Sequence, residues 1–317
     1  RVAGARTSAD ATFDFAGGFP GTTAGAVMGL VRLKLARVRF DWGRTSIIAG
    51  QDSPFFSPLS PTSFASVAIP ALAYSGNLWT WTPQVRVERT WGVSERSEAG
   101  ISGGILDAVS GEVPVSQFNR EPDAGERSRQ PAVAARAWYS HEVFGRKLIV
   151  GAGGYESQQD YGFGRSVRAW AATADWTVPV SKWLEWSGEF FRGRALGGLW
   201  GSIDTSVITS GLLTDPATQI AGLNTLGGWS QVKFRATPKL EFNGAFGQVN
   251  PFASDVFRFG PVGTDVIARN QTVMLNAIHH PRSNVVMSLE YRHINTDHAA
   301  LEHRTADHVN AAVGVLF

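Results

Sequence analysis

The feature that most constrains this chain is a two-residue alternation of apolar and polar side chains that recurs along most of its length. Within residues 230–236 and 285–292, for example, charged side chains occupy one parity only. A period of two is the repeat of a β-strand whose two faces meet different surroundings. The alternation predicts about fourteen strands, near residues 5–16, 27–42, 45–52, 79–91, 99–109, 132–144, 147–157, 165–178, 183–194, 228–237, 239–249, 269–279, 283–295 and 305–317.

The connections between the predicted strands alternate in length. Every second connection is long or moderate, and these lie near residues 17–26, 53–78, 110–131, 158–164, 195–227, 250–268 and 296–304. The others are mostly tight turns, such as Gly43-Arg44 and Gly145-Arg146, with a looser connection from Gly92 to Glu98. Long loops at one rim and short turns at the other are typical of an up-and-down β-barrel that spans an outer membrane.

Aromatic residues near the strand ends favour the same architecture, because a membrane barrel carries an interfacial belt at each rim. The belt next to the short turns is expected to contain Trp42, Trp91, Phe144, Trp176, Trp183 and Phe317. The belt towards the long loops is expected to contain Phe15, Trp79, Tyr155, Phe190, Trp229 and Phe246. A soluble all-β binding module, such as a sandwich, stays an alternative, but its apolar faces would meet in a core and need no belts. We therefore predict a single all-β domain over residues 1–317, a transmembrane antiparallel up-and-down β-barrel.

The composition agrees with many strands and turns and disfavours other classes of protein. The 317 residues include 35 glycines and 11 tryptophans, and the absence of cysteine removes any disulfide framework or thiolate site. The formal net charge is only +2 and the basic residues are scattered, so nucleic acid is not expected as a partner. No run approaches 18 consecutive apolar residues, which argues against a transmembrane helix.

Catalytic, metal and cofactor sites are not indicated. The histidines fall mainly near strand ends, and no Gly-x-Ser-x-Gly motif is present. The adjacent pair His279-His280 would point to opposite faces of a strand, so a single metal site would rarely receive both. The glycine-rich run 151–155 is not followed by a helical pattern, which disfavours a phosphate loop. We expect no enzymatic activity and no cofactor, with a barrel hydrolase acting on lipid or peptide as the alternative.

The polar parity identifies the candidate inner face of the barrel. At Ala36 the parity slips by one residue, as a β-bulge would produce. Five cations flank the long connection 53–78 on this face, namely Arg32, Lys34, Arg37, Arg39 and Arg86. The other candidate lining residues are Asp52, Glu88, Arg136, Lys233 and Arg235, and later strands contribute Glu142, Glu185, Glu189, Glu241 and Glu290. A charge-balanced lumen and a transverse field between a basic and an acidic wall both stay open.

The connection 53–78 is the most unusual segment of the chain. It carries four prolines and no charged residue. A long loop without secondary structure inside a compact domain is usually functional. If it folds inward, it narrows the water path and lowers the local dielectric, which strengthens the field of nearby charges. Its aromatic side chains could either meet a solute or anchor the loop to the inner wall, and these are Phe55, Phe56, Phe64 and Tyr74.

The run 38–51, Val-Arg-Phe-Asp-Trp-Gly-Arg-Thr-Ser-Ile-Ile-Ala-Gly-Gln, resembles the strand, turn and strand that precede the constriction loop of general bacterial porins. It is most similar to the DcaP-like porin family. The run Thr82-Pro83-Gln84-Val85-Arg86 resembles the start of that family's next strand. The resemblance implies a homotrimeric channel for passive diffusion, with residues 53–78 as the inward constriction loop. General porins carry acidic residues on that loop and this chain does not, so a cation-selective pore is not implied.

The end of the chain resembles the carboxy-terminal signal of bacterial outer-membrane proteins, which the assembly machinery binds. Val313, Val315 and Phe317 share one parity of the last predicted strand. This similarity implies a Gram-negative-type outer membrane, with its lipid and its assembly machinery as partners. In general porins of about sixteen strands, two strands precede the position that matches Arg1, so we expect a missing amino-terminal hairpin.

These observations combine into one functional expectation. We expect an outer-membrane porin that lets small hydrophilic solutes diffuse passively, with a modest preference for anions and small carboxylates, aromatic ones included. The basic residues around the loop carry that preference, and salt should weaken it. Small residues that could permit contact between barrel walls in a homotrimer are Ala9, Ala11, Gly29 and Ala311.

Overall fold

The computed structural model describes residues 3–15, 31–65, 69–112, 121–260, 266–299 and 303–316. Within these ranges the chain forms sixteen β-strands. They are β1 (Arg6–Asp14), β2 (Arg32–Asp41), β3 (Thr45–Asp52), β4 (Thr82–Ser94), β5 (Ser97–Leu106), β6 (Ala132–Val143), β7 (Arg146–Asp160), β8 (Ser166–Pro179), β9 (Leu184–Arg194), β10 (Val207–Thr209), β11 (Ile220–Gly222), β12 (Asn224–Thr237), β13 (Leu240–Pro251), β14 (Ile267–Arg282), β15 (Val285–His298) and β16 (His303–Val315).

Fourteen of the strands form one antiparallel sheet in which each strand pairs with the next along the chain. Strands β10 and β11 are the exception and form a separate hairpin within the connection from β9 to β12. The prediction of an all-β, up-and-down antiparallel fold with fourteen strands is confirmed. Among the residues described, β1 pairs with β2 alone and β16 with β15 alone. The amino-terminal hairpin stays a prediction.

Two details of the connections differ from expectation. Ser94 of β4 pairs with Ser97 of β5, so the two strands are joined by a tight turn. The prediction of a looser connection from Gly92 to Glu98 is therefore wrong. The hairpin of β10 and β11 was not predicted, because its strands have only three residues each and are too short for an alternation to be recognised.

The helices are minor. The two α-helices have four residues each, α1 (Ala124–Arg127) and α2 (Ala253–Val256), and a 3-10 turn covers Gly197–Leu199. None of the helices in the described part of the chain is long and apolar enough to cross a membrane.

The two faces of the sheet are inverted relative to a soluble protein. In β4 the polar residues Gln84 and Arg86 are 4% and 7% exposed, whereas Val85 and Val87 between them are 46% and 47% exposed. The apolar parity therefore forms the outside of the sheet and the polar parity the enclosed side. A β-sheet with a large exposed apolar surface is typical of a β-barrel whose outer face contacts lipid.

The predicted bulge lies on β2, two residues before the expected position. Thr12 pairs with Leu35 and Phe13 with Leu33, so Lys34 is the extra residue, rather than Ala36. Ala36 is instead the site of a close approach from β3. A Cβ placed on Gly50, whose φ is +135°, would lie 2.1 Å from the Ala36 carbonyl oxygen, so only glycine fits there.

The aromatic belts are partly as predicted. Among the expected members, those exposed on the surface are Trp42, Trp91, Phe144, Trp183, Phe15, Phe190 and Phe246, while Trp176 is half-buried against Trp186. The prediction is wrong for Trp79, Tyr155 and Trp229, which are 8%, 5% and 3% exposed. These three pack on the enclosed side against the loops that fill it. Phe317 lies outside the described residues.

The main apolar cluster also lies on the enclosed side of the sheet. It joins Phe55, Phe56 and Leu78 of the connection after β3 to Leu196 and Leu199 of the connection after β9. Inner-face residues of the strands complete the cluster, among them Leu106, Ala134, Tyr155, Phe191 and Val249. The enclosed space is therefore partly filled by a packed apolar core.

Candidate functional site

Residues 53–81 connect β3 to β4, and the span predicted as the constriction loop, 53–78, is named the inner segment here. Its first half is held by strands on the far side of the sheet. The Thr173 hydroxyl of β8 donates to the Phe56 carbonyl oxygen at 2.6 Å. The Glu189 carboxylate of β9 accepts from the Ser57 hydroxyl at 2.8 Å and from the Leu59 backbone N–H at 2.7 Å. Glu189 is 3% exposed, so this carboxylate is a buried anchor for the segment.

The rest of the inner segment is held in the same way. The Thr62 backbone N–H donates to the Gln231 side-chain oxygen at 2.7 Å, and the Asn276 amide donates to the Thr62 carbonyl oxygen at 2.8 Å. The Ser75 and Thr272 hydroxyl oxygens are 2.6 Å apart. Buried inner-face amides and hydroxyls thus satisfy backbone groups of a loop that has no strand partners of its own.

Gly76 is a point of close approach between the inner segment and the sheet. A Cβ placed there would lie 2.2 Å from the Gly228 carbonyl oxygen and 2.4 Å from that of Gln248, and its φ is +94°. Gly76→Ala should therefore push the segment away from β12 and β13, at a cost of about 1–3 kcal/mol for overpacking. The measurement is the temperature at which the folded barrel loses its resistance to SDS.

Gly162→Ala is the matched control for this prediction. Gly162 also has a positive φ, +75°, but a Cβ there would meet nothing within 4 Å. Both variants carry the cost of placing alanine in a left-handed conformation, so their difference isolates the clash. Equal transition temperatures for the two variants would contradict the close packing of Gly76.

Five of the predicted lining residues form one network, named the charged wall: Arg37, Arg39, Asp52, Arg86 and Glu88. Asp52 accepts from Arg37 at 2.7 Å and from Arg86 at 2.8 Å. Glu88 accepts from Arg86 at 2.9 Å and from Arg39 at 3.1 Å. The network spans β2, β3 and β4, and the Arg86 guanidinium lies 5.6 Å from the ring of Phe55, at the start of the inner segment.

Strand β1 adds two carboxylates that the sequence argument overlooked. Asp10 accepts from Arg37 at 3.1 Å, and Asp14 forms ion pairs with Arg32 at 2.7 Å and Lys34 at 3.7 Å. Asp52 and Glu88 are therefore not the only acids that neutralise the five cations flanking the inner segment. Five carboxylates pair with them, namely Asp10, Asp14, Asp41, Asp52 and Glu88. The signal was readable, because Asp10 and Asp14 share the polar parity of β1.

Exposure differs among the members of the charged wall. The Arg37 and Arg39 side chains are 34% and 40% exposed, whereas Arg86 is 8%, Asp52 6% and Glu88 23% exposed. The guanidinium groups of Arg37 and Arg39 therefore stand nearer to the enclosed water than the carboxylates of Asp52 and Glu88. Asp10, at 53%, is the exception and lies on the first strand of the sheet.

The remaining predicted lining residues pair elsewhere on the inner face. Arg136 binds Asp175 at 2.6 Å and Arg235 binds Glu185 at 3.1 Å. The Lys233 ammonium lies 3.6 Å from the Glu241 carboxylate. In the described part of the chain none of the three shares a hydrogen bond or ion pair with the charged wall.

The later glutamates do not form an acidic wall. Glu185, Glu241 and Glu290 each pair with a cation, and Glu189 holds the inner segment. Glu142 is exposed near the turn after β6. Of the two arrangements left open by the sequence, this pairing favours the charge-balanced lumen.

The aromatic candidates of the inner segment divide into two groups. Phe55 and Phe56 are 7% and 0% exposed, and the Phe56 ring stacks on Tyr155 with centroids 5.1 Å apart, which is the anchoring role. Phe64 and Tyr74 are 43% and 39% exposed. In the last strand Val313 and Val315 are exposed, and Phe317 lies outside the described residues.

Comparison with solved structures places this architecture among known barrels. The outer membrane channel DcaP of Acinetobacter baumannii is similar over 100% of this chain and 82% of its own, at 15% identity and a TM-score of 0.73. A porin is similar over 99% of this chain and 100% of its own, at 12% identity and a TM-score of 0.50. No protein-family model and no curated protein sequence matches the chain. The chain therefore has the β-barrel fold of outer-membrane porins, which it shares with DcaP.

Proposed function

We propose that this protein is an outer-membrane channel for the passive diffusion of small hydrophilic solutes. The observation that carries the proposal is the inverted sheet, in which apolar residues such as Val85 and Val87 face outward while charged residues such as Arg86 face the enclosed side. On the same face the Arg37 and Arg39 side chains are 34% and 40% exposed, which charged groups on an enclosed face tolerate if water enters, and water is what a diffusing solute needs. The likeness of the fold to DcaP, an outer membrane channel, supports the same role.

The charged wall supports a modest preference for anions. Its three guanidinium groups meet two carboxylates, and Asp10 of β1 supplies the third, but Arg37 and Arg39 are more exposed than Asp52 and Glu88. A passing solute therefore meets guanidinium groups first, and these bind carboxylates in a forked geometry. The solutes favoured by this surface are small carboxylates, aromatic ones included.

The test combines gel mobility with conductance. The protein folded in detergent is expected to resist SDS until it is boiled, and to produce stepwise currents in a planar lipid bilayer. Both are expected of a sheet whose hydrogen bonds close into a barrel around a water path. An unheated sample that migrates as unfolded chain, together with bilayers that stay silent, would contradict the proposal.

The partners we propose are outer-membrane lipid, the assembly machinery that reads Val313, Val315 and Phe317, and two further copies of this chain. Support for wall-to-wall contact comes from small outward residues, which allow close approach in a membrane. Ala9, Ala11 and Ala311 are exposed on the first and last strands, and Gly29 lies outside the described residues. A second small surface crosses β5 to β8 through the cross-strand neighbours Gly103, Ala135, Gly154 and Ala172.

A further inference from the structure

Residues 195–206, between β9 and β10, form a second segment on the enclosed side, named the second inner segment here. Leu196 and Leu199 are each 1% exposed and belong to the apolar cluster that contains Phe56. The Leu199 carbonyl oxygen accepts from the Trp79 backbone N–H at 3.2 Å. The Ser206 hydroxyl donates to the Ser110 carbonyl oxygen at 2.7 Å. The segment is thus bound to two other connections of the barrel.

A row of aromatic rings joins the second inner segment to the residues that precede β4. The rings of Trp200 and Trp79 stack with centroids 5.5 Å apart and an angle of 8° between planes. Tyr74 meets Trp200 edge to face at 4.7 Å, and Trp81 meets Trp79 at 5.2 Å. Burial and the nearby charge of Asp204 raise the pKa of Tyr74, in agreement with the close approach of the two segments.

The far end of this row reaches the cations of β2. The Arg32 guanidinium lies 4.7 Å and the Lys34 ammonium 5.1 Å from the centre of the Trp81 ring. Cation–π contacts of this kind hold an aromatic face next to a charged group. The row of aromatic rings therefore extends from the second inner segment to strand β2 of the sheet.

The backbone of the second inner segment adopts an unusual conformation. Four of its non-glycine residues have a positive φ angle, namely Ala195 at 55°, Trp200 at 61°, Ile203 at 50° and Asp204 at 64°. Such conformations are rare for residues with a Cβ, above all for a β-branched one. They persist only where the surroundings enforce them, and they concentrate at functional sites.

We propose that the second inner segment is a second constriction element of the channel, and that Trp200 is the positioning residue that holds it there by stacking on Trp79. The proposal rests on the channel function proposed above. The width of the water path is then set by two inward segments that are fastened to each other. The inner segment, which the sequence predicted as the constriction loop, does not by itself determine the width of the water path.

The experiment compares Trp200→Ala with the unaltered protein in planar bilayers. Loss of the stack should release the second inner segment and raise the single-channel conductance roughly twofold, since the narrowest section controls the current. Uncharged solutes too large for the native channel should then enter vesicles that contain the variant. Trp200→Phe keeps a ring for stacking and should retain the native conductance.

Phe163→Ala is the matched control. Phe163, in the connection between β7 and β8, is also an aromatic residue with positive φ, 54°, but it is 62% exposed. Its replacement should leave conductance and size limit unchanged.

Each outcome of the experiment decides one point. If Trp200→Ala does not fold, as judged by SDS resistance, Trp200→Leu keeps the bulk without the ring stack and serves in its place. A folded variant with native conductance and native size limit would overturn the second constriction while leaving the channel function intact. Silent bilayers with the unaltered protein would overturn both.

Discussion

Replacing Arg37 and Arg39 together with glutamine is expected to abolish the preference of the channel for chloride over potassium. The two side chains are 34% and 40% exposed, and they are the most exposed cations of the charged wall. Their loss leaves Asp10, Asp52 and Glu88 facing Arg86 alone, so the local charge becomes negative. The measurement is the reversal potential in a potassium chloride gradient, where the native protein should favour chloride about twofold.

Arg86 should be left in place in this experiment. Its side chain is 8% exposed and bonds to both Asp52 and Glu88. Removing one partner of a buried ion pair costs about 3–5 kcal/mol, because the other charge stays buried without compensation. A change at Arg86 would therefore report on folding rather than on selectivity. The preference itself should weaken as salt rises, because the Debye length is about 10 Å at 0.1 M.

Arg89→Gln is the control for the double variant. Arg89 lies on the same strand as Arg86 but on the outward parity, over the ring of Trp91 at 5.8 Å. The Arg89→Gln substitution removes one positive charge without changing the enclosed face. The reversal potential of this variant should therefore match that of the native protein. Potassium preference in the native protein, or chloride preference that survives the double substitution, would contradict the proposed role of Arg37 and Arg39.

The strands of this protein were predictable from sequence because both faces of the sheet have strict requirements. A shift of one residue would turn every polar side chain outward, so the alternation must persist through each strand. The strand predicted at 45–52 is β3, Thr45–Asp52, and the one predicted at 183–194 is β9, Leu184–Arg194. Other limits were less accurate, because β4 begins at Thr82 rather than at residue 79 and β12 at Asn224 rather than at residue 228.

The contents of the barrel were predictable only in part. Parity assigns a residue to the enclosed face, but it cannot identify the loop that covers that residue, because loop contacts join positions far apart in sequence. Glu189 and Leu59, for example, are hydrogen-bonded although they are 130 residues apart in the sequence. No local sequence pattern predicts such a pair. The second inner segment was overlooked for the same reason, since its apolar residues Leu196 and Leu199 follow no strand period.

Pairing of charges was the other limit. Asp10 and Asp14 had the correct parity, yet their partners depend on the register between β1 and β2, which the bulge at Lys34 shifts. A bulge two residues away from its predicted place changes which cation each carboxylate meets. The ion pairs of the inner face, and the local electric field that depends on them, could therefore be determined only from the structure.

Glu189→Leu is expected to make the open-channel current noisy and to lower the thermal stability of the barrel. The Glu189 carboxylate is the shared acceptor for the Ser57 hydroxyl and the Leu59 N–H, at 2.8 Å and 2.7 Å. Leucine accepts neither bond, and each buried donor left without a partner costs about 1–3 kcal/mol. The first half of the inner segment should then detach from β9 and move within the water path, which single-channel recordings would register as rapid fluctuations.

Two further variants separate motion of the segment from a general loss of stability. Glu156→Leu removes a carboxylate that is 46% exposed and paired only with Arg168 on the surface, so its current should stay quiet. The chain has no cysteine, and the Ser75 and Thr272 hydroxyl oxygens are 2.6 Å apart. A disulfide formed by Ser75→Cys and Thr272→Cys should therefore fix the far end of the segment, and noise that persists in the Glu189→Leu channel with this disulfide is assigned to the first half of the segment. A Glu189→Leu channel as quiet as the native one would contradict the anchoring role, because a loop without its buried acceptor cannot stay bound at that point.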